Sequence, residues 1–302
     1  MALSGPAPGA KFIDPVVLSR IGNLELIAKT VVDGLINGTH RAPFYGASVD
    51  FAEHRGYVAG DDIRRVDWRV YARTDKYYIK EFEADSNANF SVLLDVSKSM
   101  AFGSKISKLD YAKTLAGCLA YLANAQRDRV GLITFDEAVV DHIPPSAKHL
   151  DVVLHTLDRA KAVKPGNLVA PLRKLAEHFG RRGIIVVISD FYAEPEEIFH
   201  AVGPIVHRGN DVVLFHVLDP QEIDFSFTEP SSFEDMESGD QMPIVPTKLA
   251  GDYQALVRAH IDTLTSKAGA QPVDYMLLNT AMPLDFALFR FLSMRQRLAR
   301  TR

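Results

Sequence analysis

The sequence predicts an α/β fold: a doubly wound, mostly parallel six-stranded sheet with one antiparallel edge strand, an N-terminal helical and irregular extension, and a small hairpin insertion. Three observations carry this. From Phe90 onward, short apolar runs alternate with segments of helical period, which is how a sheet with crossover helices reads in sequence. Six such runs occur: 90–95, 129–135, 138–143, 183–190, 211–219 and 272–279. The second and third are separated only by Asp136 and Glu137, too little chain for a parallel crossover, so the third pairs antiparallel at an edge.

The elements follow in order. Pro15 to Ile36 carries Val17, Leu18, Ile21, Leu24, Ile27, Ala28 and Val31 at the spacing of an amphipathic helix, with a possible break at Gly22. Arg41 to Asp85 is rich in Gly, Arg, Asp and aromatic residues without a long periodic run, so residues 1–85 read as a helical and irregular segment that wraps the main domain, residues 86–302. Leu109, Ala112, Leu115, Ala116, Leu119 and Leu122 mark one helix, and 148–160, 168–179, 195–207 and 252–268 supply others. Between 219 and 246 the helical period disappears and eight acidic residues occur without a Lys or Arg. There SFEDMESGDQMPIV reads as a hairpin turning at Ser238, Gly239 and Asp240. It is either an acidic binding ribbon or a solvated insertion.

Composition narrows the function classes. A formal net charge of -4 gives no strongly basic stripe, which argues against nucleic acid as partner. The single cysteine, Cys118, cannot form an intramolecular disulfide and sits on an apolar helical face, as a core residue does. The ten histidines form no zinc-type cluster. No apolar signal region begins the chain, and its longest apolar stretch, Ile184 to Ile188, falls far short of the roughly 20 residues of a membrane span. A cytoplasmic location is expected. Neither GxxxxGK[ST] nor a post-strand GxGxxG is present, which disfavours nucleotide binding.

The sharpest constellation is Asp95-Val96-Ser97-Lys98-Ser99, where an apolar strand runs out before a helix begins. Open α/β sheets gather ligands outside the carboxyl ends of their strands, at the switch point. With the 183–190 strand alongside, Asp190 becomes Asp95's neighbour. Alternate residues of extended backbone point the same way, so Ser97 and Ser99 can present their hydroxyls on Asp95's side. Two carboxylates and two hydroxyls are hard oxygen donors, suited to Mg2+ or Mn2+. A cation held by so few ligands keeps charge enough to attract a partner's carboxylate. The alternative is that the serines form a turn and cap the next helix while the aspartates bond backbone amides.

DVSKS followed by ISD resembles the metal-ion-dependent adhesion site of von Willebrand factor A domains. More narrowly, GDDIRRVDW (60–68), Ala72-Arg73, KEFE (80–83), LLDVSKSM (93–100), KLDYA (108–112) and DRVGLITF (128–135) are similar to the bacterial domain-of-unknown-function 58 family. The ESGD hairpin, Tyr253 and the tail from Leu284 to Arg295 also fit, so the resemblance covers most of the chain. It implies a von Willebrand factor A-like fold and a non-enzymatic cytoplasmic adaptor, partner of a MoxR-type AAA+ ATPase in the maturation of client proteins or metal insertion into them. Adhesion sites usually add a threonine from a later loop. The matching stretch here is Pro165-Gly166-Asn167-Leu168, so the resemblance makes Asn167, whose amide oxygen can ligate a hard cation, the stand-in.

Two further readings stay open. Asp95 could be the nucleophile of a magnesium-dependent phosphohydrolase, but the residue two positions later, where such enzymes place an acid–base aspartate, is Ser97. Around the only tryptophan, Arg64, Arg65, Asp67, Trp68, Arg73, Lys80 and Glu81 form a mixed charge set. Either Arg65, Trp68 and Arg73 face a partner, or Trp68 is a buried anchor and the charges pair to fasten the segment.

Overall fold

The computed structural model describes residues 15–18, 23–39, 53–56, 66, 68–81, 88–177, 179–180, 182–227, 229, 231–236 and 239–301. The N-terminal helical pattern becomes α1 (Pro15–Leu18) and α2 (Leu24–Thr39). Gly22, the expected break, lies outside the described residues. Asn23 caps α2 by accepting the Leu26 amide at 3.0 Å. In the segment without period, β1 (Glu53–Gly56) pairs antiparallel with β2 (Tyr78–Glu81), and α3 (Trp68–Thr74) lies between them in sequence.

All six expected strands form. They are β3 (Asn89–Asp95), β4 (Arg129–Phe135), β5 (Val139–Ser146), β6 (Gly183–Ser189), β7 (Asp211–Leu218) and, after the insertion, β10 (Val273–Asn279). Their order is β10-β7-β6-β3-β4-β5, parallel throughout except for β5 against β4. Burial follows position. Every residue of β6 is buried, as a central parallel strand covered on both faces must be, whereas β5 alternates half-buried with exposed. An edge place also lets β5 contain Pro144 and Pro145, which cannot donate to a ladder.

The crossovers are α4 (Lys108–Ala125), α5 (Leu150–Arg159), α6 (Val169–Ala176), α7 (Pro195–His207) and α9 (Pro246–Gly269), with α10 (Leu284–Thr301) closing the chain. Strand period divides the core into two layers. Val92 and Leu94 meet α2, α4, α5 and α10 on one face. Leu93, one step along, meets α6, α7 and α9 on the other. The N-terminal helix is therefore part of the first layer: Ile27, Ala28, Val31 and Val32 are buried there, and the Leu24 side chain lies against Gly117 of α4, where a Cβ would meet it at 3.2 Å. Cys118 is buried as expected, and desolvation pushes its thiol up to about 12. The insertion holds α8 (Pro220–Asp224) and a hairpin of β8 (Ser231–Glu234) and β9 (Gln241–Ile244), with Gly239 at φ +80° in its turn. Phe225 stacks on Phe233 of the hairpin and lies tilted against Tyr253 of α9, which fastens it. No helix among the described residues is long and apolar enough to cross a membrane.

Candidate functional site

The chain leaves β3 through α4 on one face and leaves β6 through α7 on the other, so the switch point lies between these adjacent strands. Asp95 ends β3 and Asp190 follows β6. Their carboxylates share one buried space, as the strand pattern predicts.

Asp95 is held on both oxygens. Oδ1 accepts the Ser97 amide at 2.9 Å and Oδ2 accepts the Ser189 hydroxyl at 2.6 Å. Burial, and then the charge of Asp190, push its carboxyl from 3.8 up to about 7 in spite of these bonds. The Ser97 and Ser99 hydroxyls stand 3.0 Å apart. Extended backbone does not bring them there: the chain is extended at Ser97 but enters a 3-10 turn over Lys98–Ala101, and the turn folds Ser99 back beside Ser97. That turn is tied down where the Lys98 amide donates to the Lys164 carbonyl at 2.7 Å.

The other candidates divide. Asn167 reaches this edge through its amide, which donates to the Asp136 carbonyl at 3.1 Å, but its Oδ1 accepts the Ala170 amide at 2.9 Å at the start of α6. That is a capping bond. Trp68 is 55% exposed, with its ring edge-on to Tyr71, so the buried-anchor reading fails: α3 turns the indole outward. Arg73 is exposed in the last turn of the same helix, and Arg65 lies outside the described residues.

Sequence reasoning missed the cation of the site. Lys108, the first residue of α4, is fully buried. Its Nζ donates to Asp190 Oδ2 at 2.8 Å and to Glu222 Oε1 at 2.7 Å, beneath the Tyr192 ring at 4.9 Å. Burial alone would lower the Lys108 pKa, yet the two carboxylates hold it above the usual lysine range. A signal existed, because a lysine at a helix N-terminus opposes the helix dipole and calls for a specific partner.

Glu222 and Asp219 come from the acidic insertion, and neither is a solvated ribbon residue. They form a capping box at the start of α8, in which Glu222 Oε2 accepts the Asp219 amide at 2.8 Å. Asp219 Oδ2 also accepts the Ser104 amide, the Ser104 hydroxyl and the Thr280 hydroxyl at 2.8, 2.9 and 3.0 Å. Burial works to raise the Asp219 carboxyl, and these bonds outweigh it and hold the carboxyl below its ordinary range. The 102–107 loop thereby links the insertion to α4. Gly103 has no room for a Cβ, which would stand 2.0 Å from the Ile106 carbonyl oxygen. Gly103→Ala is expected to cost roughly 1–3 kcal/mol by overpacking, read as a lower urea midpoint with unchanged slope.

Three buried or nearly buried carboxylates, Asp95, Asp190 and Glu222, thus gather here, and among the described residues the Lys108 ammonium pairs with the last two. Excess negative charge beside two convergent hydroxyls is chemistry that suits a hard divalent cation. Among the described residues no three His, Cys, Asp or Glu side chains converge as metal ligands, so serine hydroxyls and water would have to complete the shell. Asp190 already gives Oδ2 to Lys108, which leaves Oδ1 for that purpose.

The chain is 29% identical over 255 residues to uncharacterized proteins of Mycobacterium tuberculosis (strain ATCC 25618 / H37Rv) and Mycobacterium bovis, covering 82% of this chain and 80% of each of theirs. Similar solved structures include BatB from Bacteroides thetaiotaomicron (16% identity, 70% of this chain and 99% of that one, TM-score 0.46). Another is the SpRpn10 VWA domain (11% identity, 67% and 93%, TM-score 0.39). The mostly parallel six-stranded sheet and its single antiparallel edge are those the sequence predicts. With residues 53–263 matching the family described as protein of unknown function DUF58, the chain belongs to that family.

Proposed function

We propose that the chain is a non-enzymatic interaction module whose carboxyl-edge face holds Mg2+ or Mn2+ on Asp95, Ser97 and Ser99, with Asp190 contributing through its remaining oxygen. The observation that carries this reading is the charge imbalance: among the described residues, Asp95 is buried without a cation of its own, while Lys108 serves Asp190 and Glu222. A bound cation would supply positive charge open to a carboxylate of a partner. Asn167 is the weakest of the proposed donors because its Oδ1 caps α6. The partner in this reading is a MoxR-type AAA+ ATPase acting on client proteins, in the cytoplasm. The exposed Trp68 offers a second contact of the kind that anchors interfaces, with Arg73 on the same short helix.

Calorimetric titration of each ion into chelator-treated protein tests the site. Saturable binding is expected, with at least a tenfold loss in Asp95→Ala. Capture of the ATPase in magnesium, compared with chelator and with Asp95→Ala, tests the partner. Equal capture in all three would remove the metal face from the reading.

A further inference from the structure

The N-terminal half of α9 presents an apolar stripe beside the acidic insertion. Leu249, Tyr253 and Leu256 recur at helix spacing on one face. Leu249 is 41% exposed and Leu256 71%, while Tyr253 lies against Phe225 of the insertion, with ring centroids 4.5 Å apart. Leu256, Val257 and Ile261 form one wall of a cavity of about 260 Å³, and Tyr192 and Leu218, from the carboxyl edge of the sheet, form the other. Charge around this groove is of one sign. Residues 219–246 hold eight acidic side chains and no Lys or Arg, and Lys108 is already engaged by Asp190 and Glu222. Asp252 is exposed next to the stripe. The basic residues of this half of α9, Lys248 and Arg258, are placed by the helical period roughly 100° and 180° around the axis from Leu249.

The complement lies elsewhere on the same chain. Residues 294–302, MRQRLARTR, hold four arginines and no acid, interleaved with Met294 and Leu298. All but Arg302 belong to α10. That helix begins beyond the carboxyl end of β10 and crosses the first layer to the amino edge, where the Phe291 ring stands 6.1 Å from that of Phe90 at the start of β3. The groove lies at the opposite edge, against the other layer. The sheet separates the two, so the basic stretch of one copy does not reach its own groove.

We propose that the groove receives the basic stretch 294–302 of a second copy of this chain. Four guanidinium groups answer the acidic insertion, and Met294 and Leu298, four residues apart, supply apolar side chains for the stripe. Arginine suits such a place, since its stem covers apolar surface while its fork pairs with carboxylates. Groove and stretch are different surfaces, so the contact is heterologous and joins copies head to tail. A segment this short buries little area, which puts the contact among weak and reversible interfaces. It does not rest on the metal face.

Sedimentation of the full chain from micromolar to near-millimolar concentration tests this. The average mass is expected to rise with concentration, and association to weaken about tenfold between about 0.05 and 0.5 M salt, because exposed opposite charges are screened. Leu256→Lys, and Arg295→Glu combined with Arg297→Glu, should each remain monomeric, with circular dichroism confirming that both variants fold. Mixed in equal amounts, they should form a dimer that grows no further, since each pair then holds one intact groove and one intact stretch. A parent chain monomeric throughout, a variant that associates like the parent, or a mixture of folded variants that stays monomeric would overturn the proposal. A synthetic peptide of residues 290–302 that binds the parent while the parent stays monomeric would assign the groove to a basic segment of another protein and overturn the second copy as occupant. Association should persist in chelator, so failure of the metal reading would leave this one standing.

Discussion

Lys108→Met is expected to destabilise the fold by on the order of 3–5 kcal/mol at neutral pH. The ammonium is fully buried and is the cation shared by Asp190 and Glu222, whose side chains are only 4% and 12% exposed. Removing it leaves two carboxylates desolvated and uncompensated, and methionine keeps the packing, so the loss reads as electrostatic. Urea unfolding at pH 7 measures it. Two controls separate charge from shape. Lowering the pH should narrow the gap between variant and parent, because protonated carboxyls need no cation. Adding Asp190→Asn and Glu222→Gln should restore most of the loss, because a neutral set of similar shape costs far less to bury. A variant that loses equally at all pH values and gains nothing from the neutral partners would show that Lys108 acts by packing alone.

The metal-free chain should lose stability as the pH rises from about 4 to about 7, and Asp95 is the reason. Its carboxyl is raised from 3.8 to about 7 in the folded state, so the folded protein holds that proton where the unfolded chain has released it. The contribution is fully present below the unfolded value, falls as the pH climbs through 7, and stays lost above. The gap between the folded and unfolded values sets its ceiling at roughly 4 kcal/mol. Asp95→Asn should flatten this part of the profile and leave the chelator-treated protein more stable than the parent at pH 8. The same proton competes with a cation, so Mg2+ or Mn2+ affinity should rise up to about pH 7 and then level off. Thermal unfolding with chelator and with each ion, at three pH values, checks both statements. A profile identical in parent and Asp95→Asn would place the proton elsewhere.

The likeness between expectation and structure is greatest where one local pattern suffices. Apolar runs of six to nine residues became strands within one residue of their expected limits, except that β5 runs three residues past its expected end, and the two-residue gap at Asp136 and Glu137 fixed the antiparallel edge. The place of Asp95 also followed, because a strand that runs out at an aspartate must present it at the sheet's carboxyl edge. Ser97 and Ser99 were rightly paired by spacing, though a 3-10 turn and not extended backbone unites them. Trp68 went the other way. Whether a helix seven residues long turns its indole in or out depends on what covers it, and no periodicity within the helix encodes that.

By itself the sequence determined the α/β class, the six strands, the edge, the family and the two aspartates of the switch point, since each depends on residue period or on an ordered motif. Only the tertiary structure decided what those aspartates face. Asp190 and Lys108 are 82 residues apart and Lys108 and Glu222 114 apart, so the pairing of charge was settled by strand order and by the descent of the insertion onto α4. The same holds for His216 and Tyr275, 59 residues apart, whose ring nitrogen and hydroxyl meet at 2.7 Å. Periodicity reports which face of an element is buried. It does not report which buried polar atoms meet, because that requires the distances between elements, and those exist only once the layers have packed.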